Sequence, residues 1–118
     1  MSLPSVTGLD HYIIRVRDLQ AATEQYQKLG FALAPQGRHH RGTRNQTLIL
    51  DANYLELLAF PPELLDQSRF AGFDDAYEGP VSVALQTTDS SAVHAELARL
   101  GIDAEPPQRG GRPVHLPE

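Results

Sequence analysis

The chain has 118 residues, of which 41% are hydrophobic, and its 10 basic and 15 acidic residues give a net charge of −5. This length and hydrophobic fraction indicate one globular domain, or two very small halves that share a core, and they exclude disorder over the whole chain. The lack of cysteine excludes disulfides and thiol chemistry. No apolar run reaches the roughly 20 residues of a transmembrane helix, and the first residues carry no signal pattern. We therefore expect a cytoplasmic protein that binds neither a membrane nor nucleic acid.

One stretch, residues 8–30, predicts a strand that runs directly into a helix. It reads GLDHYIIRVRDLQAATEQYQKLG, with Asp18 as a typical helix N-cap and Gly30 as a typical residue after the C-cap. Between them, four apolar residues at helical spacing form one stripe, namely Leu19, Ala22, Tyr26 and Leu29. The predicted elements in chain order are strand 9–17, helix 19–29, strand 31–34, a polar loop 36–42, strands 43–50 and 53–60, strand 81–87, a helix between residues 89 and 101, and strand 102–105.

The spacing of this stretch recurs 71 residues later, where Asp89 and Gly101 stand as far apart as Asp18 and Gly30. An offset that preserves strand, cap, helix and stop indicates a duplication. The first copy is predicted as a strand, a helix and three strands. The second copy is predicted as a strand, a helix and one strand, without the hairpin that ends the first. We expect a first module over residues 1–62, a connector over 63–79 and a partial second module, strand–helix–strand plus a tail, over 80–118. We therefore expect that the chain is a fragment, or that its missing strands were lost or are supplied by a partner.

His11 and Glu56 are the residue pair of greatest chemical interest. Each is predicted in the middle of a strand and among apolar neighbours, and adjacent first and fourth strands would point both side chains into one cavity. An imidazole and a carboxylate suit a divalent metal, or a general base with a positioning partner. The alternative for His11 is a hydrogen-bonded core histidine. Glu56 lies in a strand that is apolar on both faces, so it requires a partner, a metal or a proton.

The segment GRHHRGTRN, residues 37–45, is the second candidate site. Its three arginines, Arg38, Arg41 and Arg44, can grip a carboxylate or phosphate with forked donors, which favours an anionic ligand. His39 can serve as a ligand or as an acid–base group. The alternative is a solvated loop whose basic residues only offset nearby acidic ones. His94 is expected to be exposed on the polar side of the second helix.

Taken together, GLDHYIIRVRDL, GRHHRGTRN and NYLELLAF resemble the vicinal oxygen chelate superfamily, and within it the glyoxalase-like domain proteins of bacteria. The resemblance implies an α+β fold of tandem βαβββ modules with mixed curved sheets forming a cup, the second module being incomplete in this chain. It implies a divalent metal ion, and it places further polar side chains at the cavity mouth. The implied site residues are His11 and Glu56 for the metal, Glu56 and His39 for catalysis, and Arg38, Thr43, Asn45 and Tyr54 for substrate binding.

The resemblance favours a metal-dependent lyase, isomerase or dioxygenase that acts on a small oxygen-bearing metabolite. Ser82 stands where the superfamily often places a second-module histidine, so further ligands would come from His39, His115, water or another chain. Ser82 also keeps open a second hypothesis, a module of the same fold that binds a drug or metabolite without chemistry. The third hypothesis is a structural or assembly domain whose cavity no longer has a function. Because superfamily members pair modules within or between chains, we expect a homodimer.

Overall fold

The computed structural model describes residues 2–38, 44–60 and 77–109. Within these residues, the elements in chain order are β1 (Gly8–Arg15), α1 (Leu19–Lys28), β2 (Ala32–Leu33), β3 (Gly37–Arg38), β4 (Arg44–Ile49), β5 (Tyr54–Ala59), β6 (Gly79–Gln86) and α2 (Ser90–Arg99). The predicted strand–helix–strand–strand–strand order of the first module is therefore present, with the short strand β3 added to it. None of the described helices is long and apolar enough to cross a membrane.

The strands form one mixed sheet in the order β2–β4–β5–β1–β6, and β3 pairs with β4. β1 lies parallel to β5, whereas β4 and β5 form an antiparallel hairpin. The predicted α+β class with a curved mixed sheet is confirmed. The parallel β1–β5 pair places the first and fourth strands of the module side by side, as the predicted site shared by His11 and Glu56 requires.

The chain divides into two compact units, residues 9–84 and residues 1–8 together with 85–118. The first unit contains α1 and most of the sheet, and the second contains α2. In the second unit, the buried carboxylate of Glu96 accepts hydrogen bonds from the backbone and the hydroxyl of Ser5. The carbonyl of Ser5 in turn accepts one from the Thr87 hydroxyl at 2.7 Å. The first residues of the chain are thus tied to α2. The module boundaries expected from the sequence stay a prediction.

The repeated caps are present in both helices. Asp18 and Asp89 each accept a hydrogen bond at 3.0 Å from the backbone N–H three residues on. Gly30 and Gly101 follow the C-caps with φ of 97° and 76°, a left-handed conformation that glycine adopts without steric cost. After α1, the N–H of Gly30 bonds to Gln27 and the N–H of Phe31 bonds to Tyr26, which satisfies carbonyls in the last turn.

We expect Asp18→Ala to lower the free energy of unfolding by about 0.5–2 kcal/mol, because a backbone N–H of the first turn of α1 loses its acceptor. Urea denaturation followed by circular dichroism measures this change. Asp103→Ala is the matched control, since Asp103 is exposed and caps no helix. An equal loss in both variants would contradict the capping role.

The main hydrophobic core lies between α1 and one face of the sheet. Leu48 and Leu57 are fully buried there and pack with Val16. The apolar stripe of α1 covers them through Leu19, Ala22 and Tyr26. On the opposite face, Ile13 and Leu58 form a smaller core cluster with Phe60 and Val81 packed against it. Both faces of β5 are therefore covered, as its sequence indicated.

Three local expectations were wrong within the described residues. Gly37 and Arg38 were expected in a loop, but their backbone pairs with Asn45 and Arg44 and extends the β4 edge of the sheet. Residues 102–109 form no strand, and Pro106 and Pro107 at their centre have no N–H to donate to a ladder. His94 is half-buried rather than exposed, because its Nε2 lies 3.0 Å from the carbonyl oxygen of Ala104. The connector over 63–76 lies outside the described residues.

Candidate functional site

The register of the β1–β5 pair brings His11 and Glu56 together. His11 is opposite Tyr54 and Ile13 is opposite Glu56. Because alternate residues of a strand share a face, and paired residues of neighbouring strands do too, all four side chains point to the same side of the sheet. Nε2 of His11 lies 3.3 Å from Oε2 of Glu56. The pair proposed from sequence therefore shares one location, on the sheet face opposite α1.

The imidazole of His11 is held on three sides. Its Nδ1 lies 2.6 Å from Oδ2 of Asp10, and its Nε2 faces Glu56. The ring stacks on the ring of Tyr54, with centroids 4.4 Å apart and an interplanar angle of 11°. The side chain is 15% exposed, which leaves one edge of the pair reachable from outside. An imidazole restrained in this way presents one nitrogen in a defined direction.

The carboxylate of Glu56 is also held by a specific partner. Its Oε1 accepts a hydrogen bond of 2.9 Å from Nδ2 of Asn45, which is itself buried in the neighbouring strand β4. Glu56 is 8% exposed, so its charge has little access to water. A buried carboxylate is costly unless hydrogen bonds and a positive charge compensate it. Asn45 supplies the hydrogen bond, and the second oxygen remains directed at His11.

The contact between the two side chains requires a proton or a cation between them. If Nδ1 of His11 donates its hydrogen to an ionised Asp10 carboxylate, a neutral ring keeps a lone pair on Nε2. Oε2 of Glu56 also presents lone pairs, and two acceptors at 3.3 Å repel each other. A second proton on the imidazole, a proton on Glu56 or a metal ion would resolve this repulsion. The arrangement therefore fits either a hydrogen bond between His11 and Glu56 or a cation bound by both.

Nitrogen and oxygen ligands at about 2.0–2.2 Å from one divalent ion are separated by about 3.0–3.4 Å when they occupy neighbouring coordination positions. The separation of 3.3 Å between Nε2 and Oε2 falls in this range. His11 and Glu56 therefore fit as two ligands of such an ion. Among residues 2–38, 44–60 and 77–109, no group of three or more His, Cys, Asp or Glu side chains is placed to hold a metal. An ion held by His11 and Glu56 would need further ligands, such as water, from outside this set.

The structure places the other predicted site residues as follows. Asn45 is buried against Glu56 and holds it, whereas the sequence assigned it to the cavity mouth. Tyr54 packs on the ring of His11. The backbone of Arg38 lies in β3, opposite Arg44, which is exposed. His39, Arg41 and Thr43 lie outside the described residues, so their predicted roles rest on sequence alone.

Sequence reasoning missed Asp10, although it is the residue next to His11. Successive side chains of a strand point to opposite faces, and this rule argues against a contact between neighbours. The short carboxylate nevertheless reaches Nδ1 at 2.6 Å, and Asp10 stays 41% exposed in doing so. The Asp-His pair in GLDHYI was the only available signal, since a carboxylate often binds the outer nitrogen of a functional histidine.

A separate open cavity of about 580 Å³ lies on the helix side of the sheet, between the end of β1 and α1. Ile14, Val16 and Tyr26 line it, together with the charged Arg17 and Glu78. It contains neither His11 nor Glu56. The cavity therefore belongs to the packing of α1 on the sheet and is distinct from the candidate site.

With this geometry established, comparison with known proteins places the chain in a family. The model of the glyoxalase-like domain family matches residues 9–117. The chain therefore belongs to the glyoxalase-like domain family, within the vicinal oxygen chelate superfamily. No protein of curated function matches the sequence.

Solved structures with the same fold include several methylmalonyl-CoA epimerases. The Mycobacterium tuberculosis epimerase is 31% identical, with a TM-score of 0.69, over 86% of this chain and 69% of that one. A variant of the Streptomyces coelicolor epimerase in complex with 2-nitronate-propionyl-CoA is 28% identical, with a TM-score of 0.74, over 90% and 81%. A methylmalonyl-CoA epimerase in complex with methylmalonyl-CoA and NH4+ is 28% identical, with a TM-score of 0.74, over 91% and 80%. All three are epimerases, a type of isomerase rather than a lyase or a dioxygenase, and two of them are complexes with an acyl-CoA ligand.

Proposed function

We propose that this protein is a metal-dependent enzyme of the isomerase type that acts on a small metabolite with two neighbouring oxygens. The observation that carries the proposal is the 3.3 Å approach of Nε2 of His11 to Oε2 of Glu56. Both residues are fixed from behind, by Asp10 and Asn45, so that two acceptor atoms converge on one point. Of the three reaction types expected from sequence, the similarity to methylmalonyl-CoA epimerases supports isomerisation.

His11 and Glu56 would hold a divalent ion, and the ion would supply electrostatic stabilisation of negative charge on substrate oxygens. The pair is only slightly exposed, which excludes most water and strengthens every electrostatic interaction at this point. Tyr54 keeps the imidazole plane fixed from one side. Positioning of this kind is how a rigid site lowers the barrier for charge development.

The reaction that fits these residues is proton exchange at a carbon next to a carbonyl group. The C–H bond breaks, its electron pair forms an enolate, and a base takes the proton. Return of a proton to the opposite face gives the epimer, so the step needs neither an oxidant nor a reductant. His39, predicted from sequence as an acid–base group, and Glu56 are the candidate proton carriers. Arg38 and Thr43 remain candidates for binding the anionic end of the substrate.

Solvent exchange tests this proposal. We expect the intact protein, loaded with Mn²⁺ or Co²⁺, to introduce deuterium from D₂O at C2 of methylmalonyl-CoA, which serves as the probe. Mass spectrometry measures the uptake against a blank without protein. The uptake should require the metal and be lost in His11→Ala. His94→Ala is the matched control, because His94 bonds to the carbonyl of Ala104 instead. A metal-loaded protein that exchanges no faster than the blank would contradict the isomerase proposal.

A second candidate function is a binding module of the same fold without chemistry. Ser82 favours it, because Ser82 stands 71 residues after His11, at the corresponding point of the second copy, and a serine hydroxyl is a poor metal ligand. Methylmalonyl-CoA that binds with a measurable heat but shows no deuterium uptake would support this candidate. The expected homodimer and the cytoplasmic location stay predictions, and light scattering tests the first of them.

A further inference from the structure

Asp10 makes the shortest contact of the candidate site. Its Oδ2 lies 2.6 Å from Nδ1 of His11, on the side of the ring away from Glu56. Asp10 is 41% exposed and His11 is 15% exposed, so the carboxylate lies at the border between solvent and the site. Its position behind the ring, with its oxygen already bound to Nδ1, indicates that it acts on His11 rather than on a ligand.

The hydrogen on an imidazole can occupy either ring nitrogen, and the partner of one nitrogen decides which. If Asp10 were absent, the ring could carry its hydrogen on Nε2 and donate it to Oε2 of Glu56, which lies within reach at 3.3 Å. The two atoms that face each other would then be bound to each other. With Asp10 present, Nδ1 is the donor and Nε2 keeps its lone pair available.

We propose that Asp10 is a positioning residue that holds neutral His11 as the Nδ1–H tautomer and thereby keeps Nε2 available as a ligand atom. Tyr54 stacks on the face of the ring, and a stacking contact does not select a tautomer. The link to metal binding rests on the proposed function, whereas the tautomer of His11 does not depend on it. Carboxylates that fix the outer nitrogen of a ligating histidine act in this way in many metal sites.

Nitrogen-15 NMR of histidine-labelled protein tests the tautomer directly in the metal-free state. Cross peaks to the ring hydrogens distinguish Nδ1 from Nε2, and the His11 signals are those lost in His11→Ala. We expect neutral His11 to show a protonated Nδ1 and an unprotonated Nε2. In Asp10→Ala and Asp10→Leu the hydrogen should move to Nε2. Leucine keeps the branched shape of aspartate but has no acceptor atom. The leucine variant therefore provides the test if the alanine variant does not fold.

Asp103→Ala is the matched control for this measurement, because Asp103 is exposed and lies far along the chain from His11. It should leave the His11 signals unchanged. A protonated Nε2 in unsubstituted neutral His11, or an Nδ1–H tautomer that persists in both Asp10 variants, would overturn the proposal. A purely structural role would change the unfolding midpoint without changing the tautomer, and would overturn it as well.

Calorimetric titration with Mn²⁺ separates this inference from the proposed function. We expect Asp10→Leu to weaken Mn²⁺ binding by about 10- to 100-fold, the usual effect of removing a carboxylate behind a ligating histidine. If the unsubstituted protein binds no Mn²⁺ while the tautomer moves as expected, the metal-dependent function fails and the positioning role of Asp10 stands. If Mn²⁺ binding needs His11 but the hydrogen stays on Nδ1 in the Asp10 variants, the positioning role of Asp10 fails and the metal-dependent function stands.

Discussion

Replacing His11 with alanine is expected to lower the affinity of the protein for Mn²⁺ by more than about 100-fold. Loss of a partner behind a metal ligand already costs about 10- to 100-fold, and the loss of the ligand itself should exceed that. In this site the effect is direct, because Nε2 of His11 and Oε2 of Glu56 are the two acceptor atoms that converge. Isothermal titration calorimetry of the intact protein measures the change in affinity. His94→Ala is the control, because it makes the same histidine-to-alanine replacement away from the site.

Glu56→Gln is a second test of metal binding by this pair. The amide keeps an oxygen that can bind an ion but removes the negative charge, so we expect a smaller loss than for His11→Ala. Because both side chains would bind one ion, the double variant should lose much less than the two single losses combined. Unchanged affinity in His11→Ala would place any bound metal elsewhere. The His11–Glu56 contact would then be a hydrogen bond rather than a metal site.

The second large effect is expected in the core. Leu57→Ala should lower the free energy of unfolding by about 2–5 kcal/mol, because Leu57 is fully buried between α1 and the sheet and its truncation leaves a cavity. Domains of this size are stabilised by only about 5–15 kcal/mol in total, so the variant should unfold at clearly lower denaturant concentration. Urea denaturation, monitored by circular dichroism, gives this value.

Leu29→Ala removes the same atoms from a side chain that is 75% exposed, and it should change the stability by less than about 0.5 kcal/mol. The comparison separates burial from residue type. If both leucines gave the same small loss, Leu57 would not lie in a packed core and the assignment of the two faces of β5 would be wrong. That assignment also places Glu56 on the face opposite α1, so this test bears on the site as well.

Much of the first module could be predicted because its signals are local. Alternation along a strand, an aspartate at the N-cap and a glycine after the C-cap each act within a few residues. They place α1 between Asp18 and Gly30, where the structure has it. The apolar faces on both sides of β5 likewise predicted that Glu56 needs a partner. The expectations failed where pairing across the sheet decides whether a segment forms a strand, as in β3 and in residues 102–105.

By itself, the sequence determined which side chains are candidates for chemistry and which helices are capped, since both depend on residue type and short spacing. Only the tertiary structure decided that His11 and Glu56 meet, because the register of a parallel strand pair depends on hydrogen bonds between distant segments. The tertiary structure also decided which residues hydrogen-bond to His11 and Glu56. Asn45 reaches Glu56 through the β4–β5 hairpin, and Asp10 reaches Nδ1 of His11 against the usual alternation of a strand. Local patterns record which groups are present, whereas the distances that give these groups a function arise from packing.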